Sequence, residues 1–99
     1  MFAVTVTYSI RLGQQPAFMR ALEAHARETL AGDTGLLRAD ILGDPSRPGK
    51  VTLVQVFDRA GDFDAYRASP PARAFDSEVV DIVTNRAITT WGEVIGLRR

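Results

Sequence analysis

The first ten residues alternate between large apolar side chains and smaller or polar ones. The large apolar set, which would share one side of an extended chain, consists of Phe2, Val4, Val6, Tyr8 and Ile10. The intervening positions hold alanine, threonine and serine. A period of two that is rich in β-branched residues predicts a strand with one buried face.

The hydrophobic period changes after Gly13. Between residues 16 and 31 apolar side chains recur at helical spacing, with charged residues at the remaining positions. Pro16 suits the first turn of a helix, and glycine commonly follows a last turn, where Gly32 stands. The pattern therefore predicts a helix over residues 16–31. Its apolar arc consists of Phe18, Met19, Leu22, Ala26 and Leu30.

The rest of the chain predicts five further elements. Residues 37–42 and 51–57 resemble strands, and the second is apolar on both faces, as in a strand that is covered on both sides. Phe63 and Tyr66 mark a short helix over residues 58–68. Ser69 and the two prolines after it begin another helix, and residues 86–95 form the last strand.

These elements follow the order β-α-β-β-α-β, which is typical of the ferredoxin-like fold. We therefore predict a single α+β domain over residues 1–99, with a four-stranded antiparallel sheet and helices on one face. The other face is too apolar to be left in water, since it carries Ala3, Thr5, Thr7, Val54 and Val56. A second copy would cover it, so we expect a homodimer.

Composition excludes several kinds of site. Twelve basic residues balance twelve acidic ones, so the net charge gives no reason to expect nucleic acid or an anionic membrane as a partner. The chain has no cysteine and one histidine, which argues against a metal site. It has no run of about 20 apolar residues and no basic stretch before its first strand. We expect a cytoplasmic protein.

Two stretches of the chain carry a family resemblance. One is residues 58–75, with a short helix and a Ser-Pro-Pro turn before the next helix. The other comprises residues 25–30 and 33–40, at the end of the first helix and the turn into the second strand. Both resemble the antibiotic biosynthesis monooxygenase family, which includes small quinol monooxygenases. The likeness covers nearly the whole chain, with matching element order.

Six positions differ from the residues usual in that family, and two of them, Leu36 and Ala39, stand for the cysteine and tyrosine of the family's turn into the second strand. The histidine of the family's Ser-Pro-His turn is Pro71 here, and a second common histidine, in the preceding short helix, is Tyr66. The glutamate frequent on the third strand is Gln55, and the tryptophan or tyrosine that ends that strand is Phe57. The resemblance therefore extends further for the fold than for the catalytic residues.

The resemblance implies a dimeric α+β barrel of two face-to-face sheets, with a pocket between the sheet and the helices of each subunit. Relatives oxidise phenolic or quinol rings with O₂ and use no metal, flavin or other cofactor. An electron-rich substrate anion can itself pass an electron to O₂, so the protein binds the ring, assists deprotonation and excludes water. The implied function is a cofactor-independent monooxygenase acting on a quinol, phenol or polyketide-type aromatic ring.

Three polar residues are candidates for the catalytic groups. His25 has the only side chain with an unperturbed pKa near neutrality and would accept a proton. Tyr66 and Gln55 would orient the oxygen atoms of the substrate. Each also has a simpler interpretation. His25 would be a half-buried helix residue bonded to a neighbour, Tyr66 an aromatic plug with its tip in water, and Gln55 a buried amide satisfied locally.

Three further residues are candidates for substrate binding. Phe57 and Trp91 would grip a planar ring, and Arg38 would stabilise an oxyanion through its permanent charge. The simpler interpretation is core packing for the two aromatic residues and an ordinary surface position for the arginine.

Two other functions fit the same fold. One is a non-catalytic dimer that binds a small apolar ligand or fills its pocket with side chains. The other is a polyketide isomerase or cyclase, which would need one base and no O₂.

Overall fold

Four strands and three helices make up the chain, and the computed structural model describes all of residues 1–99. In chain order they are β1 (Phe2–Ile10), α1 (Gln15–Ala31), β2 (Leu36–Gly43), β3 (Lys50–Phe57), α2 (Ala60–Arg67), α3 (Pro70–Glu78) and β4 (Val83–Trp91). The strands form one antiparallel sheet in the order β2-β3-β1-β4. The predicted α+β, ferredoxin-like fold is confirmed.

The core lies between the sheet and the helices. Strand β1 is paired on both edges, and every second side chain from Val4 to Ile10 is buried, as the alternation predicts. Phe18 and Leu22 of α1 are fully buried in the same core cluster. The buried side chains of β1 and the apolar stripe of α1 therefore pack together in one apolar layer. None of the three helices has the length and apolar character that crossing a membrane requires.

The buried stripe of α1 differs from the predicted arc at its end. Leu30 is 40% exposed, whereas His25 and Thr29 are buried. The hydroxyl of Thr29 donates to the backbone carbonyl of His25 at 2.9 Å, so its polar group is satisfied within the helix. The last turns of α1 thus present polar side chains toward the other two helices, α2 and α3.

The last strand begins earlier and ends earlier than its predicted range of 86–95. Val83 already pairs with Ile10, and the ladder with β1 ends where Trp91 pairs with Ala3. Beyond that point the chain has no strand to pair with, and the apolar Ile95 and Leu97 are exposed. Apolar alternation does not form a strand without a partner for its backbone groups.

The sheet face away from the helices, called the open face below, has apolar and hydroxyl side chains at its centre and the charged pair Arg38 and Asp40 on the edge strand β2. Its central residues are Ala3, Thr5, Thr7, Thr52, Val54 and Val56, and Trp91 lies on the other edge strand. The hydroxyls of Thr7 and Thr52 lie 3.1 Å apart, within hydrogen-bonding distance. The indole nitrogen of Trp91 donates to the Thr5 hydroxyl at 3.3 Å.

Gly35 ties the turn before β2 to the start of α2. Its φ of +78° lies in the left-handed region that glycine occupies at little cost. Its carbonyl accepts a hydrogen bond from the Asp58 amide at 2.9 Å. A β-carbon at this position would collide with the side chain of Asp62, which itself accepts a hydrogen bond from the Arg59 amide at 3.1 Å. Glycine therefore allows the close approach that places α2.

Replacing Gly35 by alanine should destabilise the protein by about 1–3 kcal/mol, because it combines left-handed strain with displacement of Asp62. Gly61→Ala is the matched control, since Gly61 lies inside α2 and its added β-carbon would meet no atom within 4 Å. The control should gain about 0.5–1 kcal/mol from helix propensity. Urea unfolding followed by circular dichroism measures both, and equal stability of Gly35→Ala and the parent would contradict the argument.

Candidate functional site

A cavity of about 170 Å³ lies between the sheet and the α2–α3 segment. Its walls combine aromatic rings with a few polar groups. The aromatic residues are Tyr8, Phe63, Tyr66 and Phe75, and the polar or charged ones include Gln55, Arg67, Asp76 and Arg86. A concave, mostly apolar site with convergent polar groups is the usual form of a small-molecule pocket.

His25 and Tyr66 form a hydrogen-bonded pair beside this cavity. The imidazole Nε2 lies 2.7 Å from the Tyr66 hydroxyl. The imidazole also stacks on Phe75, with ring centroids 4.6 Å apart and planes 11° from parallel. His25 is 7% exposed and does not line the cavity, whereas Tyr66 does. The histidine therefore reaches the cavity through the tyrosine hydroxyl.

Burial keeps this histidine neutral. Removal of the imidazole from water lowers the pKa of His25 below its ordinary value, because the charged form loses its hydration. The carboxylates of Glu28, Asp76 and Glu78 act in the opposite direction. A neutral imidazole offers one unprotonated nitrogen, so His25 can accept a proton.

The Tyr66 hydroxyl is also kept in its neutral form. Burial raises the pKa of Tyr66 and the charge of Asp76 raises it further, while the nearby Gln55 amide and the charge of Arg86 lower it. Gln55 is 3% exposed, on a strand flanked by β1 and β2, and it faces the helices as its phase with Leu53 predicts. Gln55 therefore lines the same cavity as Tyr66, whose hydroxyl is hydrogen-bonded to His25.

Tyr8 and Arg86 are cavity residues that were not among the predicted site residues. They pair across the β1–β4 ladder, and the Arg86 guanidinium carbon lies 5.6 Å from the Tyr8 ring centroid. The guanidinium also donates to Asp76 at 3.0 Å. Burial raises the pKa of the Tyr8 hydroxyl. Both residues could have been found from strand phase. Tyr8 lies on the same face of β1 as the buried valines, and Arg86 is its partner on β4.

Phe57 lies behind the cavity rather than in its wall. Its side chain is fully buried, and its ring packs 5.6 Å from Phe63 and 5.8 Å from Tyr66, measured between centroids. Strand phase places Phe57 on the face of the sheet that the helices cover, but it does not specify how deeply the side chain lies below them. The aromatic surface that a ligand would touch comes instead from residues of α2, α3 and β1.

Trp91 and Arg38 lie on the open face, away from the cavity. Trp91 pairs with Ala3, and Arg38 pairs with Val56 and forms an ion pair with Asp40 at 2.8 Å. Phe57 and Trp91 are therefore on opposite faces of the sheet and do not form two walls of one pocket within a single chain. Trp91 and Arg86 are five residues apart on β4, so the alternation of a strand places them on opposite faces of the sheet.

Tyr66 also borders a second, outer groove of about 750 Å³ between the end of α1 and the start of α2. This groove is polar, and its charged lining residues are Glu28, Asp33, Asp58, Asp62 and Arg59. Its carboxylates form no group that could hold a metal ion. Tyr66 thus stands between an acidic groove and the aromatic cavity.

Residues 1–77 match the sequence model of the antibiotic biosynthesis monooxygenase family. The chain belongs to this family. The matched region carries His25, Gln55 and Tyr66, and it ends before β4, so Arg86 lies outside it. A search of curated proteins finds no significant match.

Solved structures of other proteins share the fold over nearly the full length. A candidate antibiotic biosynthesis monooxygenase from Nitrosomonas europaea is 20% identical, with a TM-score of 0.86 over 96% of this chain and 100% of that one. One from Deinococcus radiodurans is 24% identical, with a TM-score of 0.86 over 100% of both chains. A conserved Methanosarcina mazei protein is 14% identical, with a TM-score of 0.83 over 94% and 92%. At these identities the likeness shows the fold alone.

The imidazole of His25 should titrate below its ordinary pKa of about 6.5, because burial disfavours its charged form. Between the lowered pKa and 6.5 the unfolded chain then binds more protons than the folded one. The corresponding stability is fully present above pH 6.5 and is lost as the pH falls through the folded-state pKa. An NMR titration of the imidazole measures the shift directly.

The control for this titration is His25→Asn, which removes the titrating group. The stability advantage of the parent over this variant should shrink between pH 7.5 and pH 5.5 in urea unfolding experiments. A histidine pKa at or above 6.5, or an advantage that grows on acidification, would contradict the inferred neutral imidazole.

Proposed function

We propose that the protein is a cofactor-independent monooxygenase that oxidises a small quinol or phenol ring and works as a cytoplasmic homodimer. Family membership supports the reaction class. The observation that carries the proposal is the 2.7 Å hydrogen bond between the cavity-lining Tyr66 hydroxyl and the buried Nε2 of His25. It links the space for a ring to a group that can accept a proton.

The first step is removal of a proton from the ring hydroxyl. The substrate donates a hydrogen bond to the Tyr66 oxygen while Tyr66 donates to the unprotonated Nε2 of neutral His25. A proton passes along these two bonds and leaves a substrate anion in the cavity. The imidazolium that results is stabilised by the nearby carboxylates that act on it, those of Glu28, Asp76 and Glu78.

The second step is oxidation of the anion by O₂. The anion transfers one electron to O₂, and the two radicals combine at a ring carbon. One oxygen atom stays on that carbon as a carbonyl, and the other leaves as water with the two hydrogens lost from the substrate. The ring thus supplies both of the electrons that reduce this second oxygen atom to water. The aromatic walls keep solvent water from the intermediate. Gln55 orients the substrate oxygen through its amide.

Oxygen consumption with a panel of quinols and phenols tests the reaction. We expect turnover by the parent protein and a loss of roughly 10²-fold or more in kcat for His25→Ala, as for removal of a general base. Tyr66→Phe should lose a similar factor, because it interrupts the path between the ring and the imidazole. Arg27→Ala is the matched control on the same helix, since Arg27 is exposed and its only partner is Glu23; it should retain full activity.

The same assay separates the alternative functions. Product formation without oxygen consumption would assign an isomerase or cyclase that uses the same base. Binding of the ring without any product would assign a non-catalytic ligand-binding protein. Unchanged turnover in His25→Ala would remove that residue from proton transfer.

The homodimer is supported by the composition of the open face. Its central residue Val54 is flanked by Thr5 on β1 and Asp40 on β2, and Val54, Val56 and Ala3 are only partly buried in the single chain. A second copy placed face to face would remove this apolar surface from water.

Analytical ultracentrifugation at micromolar concentration should find a dimer for the parent and a monomer for Val54→Asp, which places a charge in the middle of the open face. Val80→Asp is the matched control, because Val80 is 66% exposed and lies after α3, away from that face. It should remain dimeric. A stable parent monomer would contradict the proposed assembly.

A further inference from the structure

The size of the aromatic cavity restricts the ring that it can hold. Its volume is about 170 Å³. A closed apolar cavity of about 150 Å³ is enough for benzene, whereas drug-sized ligands occupy roughly 300 Å³ or more. The volume therefore matches one six-membered ring with small substituents, and three fused rings would extend beyond it.

The charge of the cavity restricts the substituents. The residues that line it include two with guanidinium groups, Arg67 and Arg86, and one with a carboxylate, Asp76. The side chain of Arg86 is 34% exposed, and its one hydrogen bond within the chain goes from Nη2 to Asp76. A guanidinium has five N–H donors, so Arg86 keeps donors for a second carboxylate at the cavity.

The outer groove on the other side of Tyr66 has the opposite charge. Four carboxylates line it against the one guanidinium of Arg59. An anionic ring is therefore repelled by the larger groove and attracted by the smaller cavity. Tyr66, which borders both, separates the two environments.

We propose that the cavity selects a single aromatic ring that carries a carboxylate in addition to its hydroxyl, with the carboxylate bound by Arg86 and the hydroxyl by Tyr66. This substrate class rests on the proposed function for its reaction, but the recognition stands on the cavity alone. Arg86 is thereby a specificity-determining residue. The Tyr8 ring beneath the guanidinium holds that group in place, at 5.6 Å from the ring centroid.

Anaerobic calorimetric titration compares three probes of graded size and charge. They are 2,5-dihydroxybenzoate, 1,4-dihydroxybenzene, which is the same ring without the carboxylate, and 1,8-dihydroxyanthrone, which has three fused rings. We expect the carboxylated ring to bind at least tenfold more tightly than the uncharged one, and the tricyclic probe more weakly than either. Failure of 2,5-dihydroxybenzoate to bind at millimolar concentration would overturn the proposal, as would tighter binding of the tricyclic probe.

Two variants separate recognition from a structural role of the ion pair. Arg86→Gln should weaken binding of 2,5-dihydroxybenzoate at least tenfold and change that of 1,4-dihydroxybenzene less than twofold. Asp76→Asn breaks the same ion pair but keeps the cation, and it should leave binding of the carboxylated ring equal or tighter. Arg73→Gln, an exposed position on α3 outside the cavity, is the matched control. Equal losses for both rings in Arg86→Gln, or weaker carboxylate binding in Asp76→Asn, would overturn the assignment.

The failure of this inference is distinguishable from failure of the proposed function. Binding of the carboxylated ring that depends on Arg86, without oxygen consumption, would support the recognition and remove the oxygenase. Oxygen consumption with the tricyclic probe, together with no selectivity for the carboxylate, would support the oxygenase and overturn the recognition.

Discussion

The hydrogen bond between His25 and Tyr66 is the contact on which the candidate site depends. It joins α1, which follows the central strand, to α2, which follows its neighbour β3. A buried imidazole must keep a polar partner, and Tyr66 is the one that the structure provides, so the tyrosine hydroxyl is held against α1 rather than turned to solvent. Stacking of the same imidazole on Phe75 adds α3 to this arrangement. One side chain thus positions three helices around the cavity.

The centre of the site holds neutral polar groups, and its charged groups lie at the margins. His25, Tyr66 and Gln55 are neutral groups in an aromatic setting, and the formal charges lie at its margins, on Asp76, Arg86 and the outer carboxylates. A neutral base in a dry site gains a charge only when it takes a proton. The carboxylates near His25 then offset part of the hydration that the charged imidazole loses.

The fold was predictable from periodicity, because β1 alternates strictly and α1 carries a clear stripe. The site was predictable only in part. His25, Tyr66 and Gln55 could be selected by residue type and phase, and the structure brings them together. The depth of Phe57 could not be read from its phase, since every residue on the inner face of β3 has that phase. The end of β4 at Trp91 depends on where β1 begins, which is a property of antiparallel strand pairing and not of the local sequence.

The hydroxyl pair of Thr7 and Thr52, together with the bond from Trp91 to Thr5, has a consequence for association of two sheets. Hydrophilic groups normally resist dehydration, because they lose bonds to water that nothing replaces. Here Thr7 and Thr52 bond to each other, and Thr5 accepts a bond from Trp91, within a single sheet. Covering these groups therefore breaks fewer bonds to water, so steric fit and apolar area would weigh more in the choice of neighbour at the centre of the face.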